Sequence, residues 1–176
     1  MRLIAAALCL LHLAALAVGS DDTEPPPATQ TRTEYVRGQV WDEATNSCTD
    51  AESGQLDDDT RFRAVRELAW AGHPEDALIV LSAMTEGRTD RVLTYIGFAS
   101  RKARRMEEGL AACDAALALN PDNLLCRSCL GQAYVELGKI ELAQAQLDEI
   151  RARGGDGLWA ETALESAIRT GETHDY

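Results

Sequence analysis

The sequence predicts an all-α protein, a stack of antiparallel helix pairs, and three observations carry that expectation. Aromatic residues make up only 5% of the 176 residues while Ala and Leu dominate the apolar set, a balance that favours helices over pleated sheets. From Thr60 onward the apolar residues recur at helical spacing, beginning with Phe62, Val65, Leu68 and Ala69 on one face. Helix terminators then punctuate the chain at short intervals: Gly72, Gly87, Pro121, Gly138 and the Gly154-Gly155-Asp156-Gly157 cluster.

Before these helices the chain reads differently. Met1-Arg2 is followed by an apolar run from Leu3 to Val18, interrupted only by His12, with small residues at Ala15, Ala17 and Gly19. This is the pattern of a signal peptide over residues 1–19, and it predicts an exported protein, in a bacterial periplasm. The run is short for a membrane span, and no second one follows it, so no span is expected once the signal is removed. Residues 20–57 contain Pro25-Pro26-Pro27 and many Thr, Asp and Glu without helical period, and read as an acidic tether and loop. From Asp21 to Asp59 there are 11 acidic and 2 basic residues, so this stretch holds most of the net charge of −12. That charge excludes a polyphosphate surface as the main partner, and no nucleic acid is expected.

The expected helices follow in order. The first ends at Gly72. Pro74 opens the second, where a missing N–H costs nothing, and its face of Ala77, Leu78, Leu81 and Met84 runs toward Gly87. Asp90 opens a third, residues 106–119 form a fourth, and Asn120-Pro121-Asp122-Asn123 breaks it. A fifth runs to about Leu137, a sixth covers about 140–152, and a last one about 158–169.

Aligning Asp90 with Leu124 superposes Ile96-Gly97 on Leu130-Gly131 and Gly109 on Ala143, with a period of 34 residues. Leu130, Gly131, Tyr134, Gly138 and Ala143, with Ile96, Gly97, Ala116 and Pro121, resemble the tetratricopeptide repeat, two antiparallel helices whose small residues stand where the helices cross. The resemblance implies a right-handed solenoid with repeats at 90–123 and 124–157, a degenerate one at 58–89, and a cap over 158–176. In the degenerate unit Val65 stands where the crossing Gly is expected, and Ser100 and Gly109 are departures in the next.

Little in the chain points to catalysis. Beyond the signal only His73 and His174 remain, there is no phosphate-binding loop, and Asp57-Asp58-Asp59 suits a solvated helix N-terminus better than a calcium loop. No catalytic residue, metal ligand or cofactor is therefore expected. Cys126 and Cys129 leave three readings open: core thiols, a structural disulfide, or a redox pair serving an assembly factor. If a disulfide forms, Cys113 with Cys129 is the first pairing expected, because folding back around Pro121 brings them level on adjacent helices.

The resemblance implies a non-enzymatic adaptor that binds a protein or extended peptide in a groove lined by the first helix of each unit. That face carries Phe62, Arg66 and Trp70, then Arg91, Thr94, Phe98, Arg101 and Lys102, then Leu125, Ser128, Gln132 and Glu136. Its cations suit an acidic partner segment, or the chain's own acidic tether. The signal reading makes a direct prediction: N-terminal sequencing of exported protein should find a start between Val18 and Asp22, and retention of Met1 would reject it.

Overall fold

In the computed structural model, which describes residues 37–174, seven helices follow a two-stranded hairpin. The expected signal peptide, and the tether as far as residue 36, lie outside the described residues. Within the stretch expected as loop, strand β1 (Gln39–Asp42) pairs antiparallel with β2 (Ser47–Asp50), setting Val40 opposite Thr49 and Trp41 opposite Cys48. Asp42 builds the turn: its carboxylate accepts the Ala44 N–H and the Thr45 hydroxyl, each at 2.9 Å, and Asn46 takes the left-handed conformation that Asn tolerates. An isolated hairpin this short is unstable in water. This one persists because Val40, Ala51 and Leu56 are buried with the helical core, and because buried Arg61 donates to the carbonyls of Ala51 and Ser53, both at 2.8 Å.

The helices are α1 (Asp58–Trp70), α2 (Pro74–Ser82), α3 (Asp90–Lys102), α4 (Met106–Leu119), α5 (Leu124–Glu136), α6 (Ile140–Ala152) and α7 (Trp159–Thr170). The first helix of each pair is capped by a side chain: Asp57 accepts from the Thr60 N–H, Thr89 from Val92 and Asn123 from Cys126. α2 stops short of Gly87, where its apolar pattern pointed. The reason is Asp58, whose carboxylate accepts the Thr85 N–H at 2.8 Å, the Thr85 hydroxyl at 2.9 Å and the Glu86 N–H, drawing that loop onto the start of α1. Burial pushes the Asp58 carboxyl up, but these hydrogen bonds and Arg61 outweigh it and hold the group below its ordinary value. Asp58 is thus a structural clamp, where the sequence had suggested a solvated helix end.

The repeat is written into the turns. Between the two helices of successive pairs, Gly72, Arg104 and Gly138 all adopt positive φ, at 76°, 63° and 69°. In each case the next N–H reaches back to close the helix end, His73 to Leu68, Arg105 to Ser100 and Lys139 to Tyr134, at 2.8 to 2.9 Å. α3 and α5 are offset by 34 residues, α1 and α3 by 32.

α3 and α4 cross at two facing glycines. A Cβ on Gly97 would stand 2.4 Å from the Cys113 sulfur, and one on Gly109 would stand 2.9 Å from the Gly97 carbonyl oxygen. Gly109 departs from the repeat's usual Ala because this backbone approach leaves no room for a methyl group. Gly131 has a different neighbour: its open side receives the Leu164 side chain of α7, with methyl carbons 2.5 and 2.6 Å from a Cβ placed there.

α1, α3, α5 and α7 touch one another in series and form an inner row, while α2, α4 and α6 pack onto that row from outside. α7 begins one repeat length after α5 and fills the place of the first helix of a further pair. Across the inner face the rings of Trp70, at the end of α1, and Trp159, at the start of α7, approach to 6.2 Å.

Three substitutions test the turn, the α3–α4 crossing and the contact of Gly131 with α7. Arg104→Gly should raise stability by about 1 kcal/mol in chemical denaturation, since only glycine takes the left-handed conformation without penalty. Gly109→Ala should cost about 1–3 kcal/mol against a backbone that cannot yield. Gly131→Ala should stay within about 1 kcal/mol of neutral, because the tip of Leu164 can turn aside and Ala favours the helix.

Candidate functional site: the inner helical face

The residues expected to line a groove do fall on the inner row, but most are not open to solvent. Phe62, Thr94, Phe98, Arg101, Leu125, Ser128 and Gln132 are buried, whereas Arg66, Trp70, Arg91 and Lys102 are half-buried. Phe62 meets Tyr95 edge to face at 5.2 Å, joining α1 to α3. Thr94 donates to the Asp90 carbonyl at 2.7 Å and accepts from Asn123 at 3.0 Å, joining α3 to the start of α5.

The cations expected to face a partner have partners within the chain. Arg91 lies 4.7 Å over the Phe62 ring and donates to both oxygens of Glu86, at 2.8 and 2.7 Å, and to Asp59 at 2.9 Å. These hydrogen bonds, Glu86 first, raise the Arg91 pKa against the opposing effect of burial. Arg101, whose side chain is 1% exposed, donates to Glu136 and stands 5.6 Å over Phe98. A buried guanidinium with one principal carboxylate is a fixed structural element, since reversing its charge would leave Glu136 facing a like charge.

The face is occupied by the chain itself. Gly171, left-handed at φ 78°, ends α7 and turns the backbone inward. The Thr173 hydroxyl then donates to Glu136 at 2.8 Å, and the His174 backbone N–H donates to the Gln132 side-chain oxygen at 2.7 Å. The His174 ring meets Trp159 edge-on at 5.8 Å. Trp159, Thr173 and His174 were not marked by the sequence reading, which took residues beyond the last helix as a plain tail. The described part of the acidic tether goes elsewhere: Arg37 pairs with Asp76 on α2 at 3.5 Å, and Gly38 faces Ile79. Between α3 and α5, Thr94, Tyr95, Phe98, Leu125 and Cys129 close together and leave no room for a water molecule.

Behind this face sit three thiols. Cys113, Cys126 and Cys129 are all buried and unbridged; Cys113 is hydrogen-bonded to both others, and Cys126 also reaches the Cys113 carbonyl at 3.4 Å. The hydrogen bonds from Cys126 and Cys129, with burial, push the Cys113 thiol well up. Its hydrogen bond to Cys113, helped by Arg101, pulls Cys129 down despite burial. Cys129 thus has the electrostatics of a reactive thiol without the access, being 1% exposed. Among the described residues no group of three His, Cys, Asp or Glu side chains is placed to hold a metal ion, and no helix is long and apolar enough to cross a membrane.

Burial rather than thiolate character should govern labelling. In the native protein, iodoacetamide should modify half-buried Cys48 at least ~10-fold faster than Cys113, Cys126 or Cys129, with all four equivalent after denaturation. Rapid native labelling of Cys129, read by peptide mass spectrometry, would overturn that order and favour the redox reading.

Comparison with known proteins agrees with the geometry. The family model described as tetratricopeptide repeat matches residues 100–167, from the end of α3 through most of α7. No curated protein and no solved structure matches the chain. Together with the helix pairs offset by 34 residues, the recurring left-handed turn and the small-residue crossing, this match makes residues 100–167 similar to the tetratricopeptide repeat.

Proposed function

We propose that this protein is an exported, non-enzymatic adaptor that holds an extended segment of another protein on its inner helical face. Tetratricopeptide repeats generally mediate protein–protein interaction, and the observation that carries the finer reading is the hydrogen bond from the His174 backbone N–H to Gln132. It supports this reading because an extended backbone, rather than a small molecule, already fits against α5. The half-buried Trp70 and Trp159 offer apolar surface at one side of that track. Export rests on the sequence of residues 1–19 and on the excess of acid over base that follows.

The outer side carries its own apolar residues, Leu137, Ile140 and Leu142, each at least 40% exposed, and they provide the comparison that tests the proposal. A photo-crosslinking residue at position 102 should give discrete protein adducts in the exported fraction, and the same residue at position 142 should not. Adducts formed only from position 142 would move the binding face to the outside of the stack and reject the inner-face reading.

A further inference from the structure

We infer that residues 172–174 are the resident ligand of the inner face, and that a partner segment enters by replacing them with the same contacts. This rests on the inner face being the binding face and adds what it selects and what holds it closed. Three features carry the inference. Gly171 turns the chain inward at the end of α7, so the strap leaves its helix already directed onto the face. The contacts that follow use the grammar of peptide capture: a backbone N–H on the Gln132 oxygen, a hydroxyl on Glu136, and a ring against Trp159. Gln132 is fully buried, so its side-chain oxygen is held in a fixed place to receive the His174 N–H.

The strap is held firmly enough to be ordered and weakly enough to leave. Two hydrogen bonds and one ring contact are set against the entropy of fixing three residues that belong to no helix, and these opposing effects are of similar size. Tethering supplies the rest, because a segment attached to α7 is present at high effective concentration. An incoming segment wins by repeating the three contacts and adding others along the inner row, where Trp70 is half-buried. The partner chemistry is therefore an extended segment with a hydroxyl-bearing residue followed by one with a ring.

The test uses the full chain and a variant of it, Thr173→Ala with His174→Pro, which removes the hydroxyl, the ring and the backbone donor together. The probe is a fluorescein-labelled hexapeptide with the sequence of residues 171–176, Gly-Glu-Thr-His-Asp-Tyr, followed by fluorescence anisotropy up to millimolar peptide. The released variant should bind it at least ~10-fold more tightly than the natural chain, and adding Glu136→Ala to the variant should weaken that binding. Equal affinity for the two chains, or no binding by a released variant whose helical circular dichroism is unchanged, would overturn the inference. The two readings fail separately. Inner-face adducts of equal yield in natural and released chains leave the adaptor standing and remove the resident ligand. Hexapeptide binding gained on release, without any protein adduct from position 102, does the reverse.

Discussion

A helix pair of this length buries one side between its own two members and leaves the other uncovered, and the need for a neighbour organises the whole structure. α3 and α4 satisfy each other at the Gly97–Gly109 crossing, yet Tyr95 and Phe98 on the far side of α3 are buried only because α1 and α5 lie against them. A stack built this way must be closed at both ends. At one end the hairpin does so with Val40 and Leu56. At the other, α7 lays Ala160, Ala163, Leu164 and Ala167 against α5 and α6 and is anchored by Arg151, which donates to Glu161 at 2.7 Å and to Glu165 at 2.8 Å.

α5 sits nearest the middle of the stack, and its burial on several sides explains why polar residues there are so fully engaged. Ser128 and Gln132 are 0% exposed, and such groups persist in a core only when hydrogen-bonded. Glu136, at the end of the same helix, receives both Arg101 from α3 and Thr173 from the strap. Arg101 in turn acts on Cys129. One carboxylate therefore connects the ordering of the strap, the fixing of a buried guanidinium and the electrostatics of a thiol. The sequence pattern marks Arg101, Ser128, Gln132 and Glu136 as groove-facing, but not Thr173 or Cys129, and not the fact that these residues answer one another.

The parts of the fold legible in the sequence are those set by local rules. α4 falls on the expected 106–119 and α6 on 140–152, because the Asn120-Pro121 break, Gly138 and Gly154 mark helix ends through backbone geometry alone. What escaped depends on contacts distant in the chain. The early end of α2 is set by Asp58, 27 residues before Thr85. The hairpin at 39–50 has only a short alternation to announce it and owes its order to Arg61 and the core. At the site, the residues of the inner row were legible from the 34-residue period, but their burial and ion pairing were not, since spacing gives the face a side chain occupies and not what covers it. Arg104 is a middle case: its left-handed turn could have been found by registering it with Gly138 one period later, although Arg itself gives no such signal.

The strap shows how little separates continuing the stack from ending it. After Gly72, Arg104 and Gly138 the chain leaves a left-handed residue and rises into an outer helix. After Gly171, which recurs at nearly the same interval, it turns onto the inner face instead. The turn residue is the same in kind, so the destination must be decided by what comes next. α2, α4 and α6 each bring small and apolar residues such as Ala77 and Leu81, Ala112 and Ala116, or Ala143 and Leu147, which gain burial only by lying back along the preceding helix. Glu172, Thr173 and His174 have no such stripe: the Glu172 N–H donates to the Thr170 hydroxyl, the Thr173 hydroxyl to Glu136 and the His174 N–H to Gln132, rather than to a helix with nothing to bury. Among the described residues the apolar period stops with α7, and Thr173 and His174 reach the inner face instead.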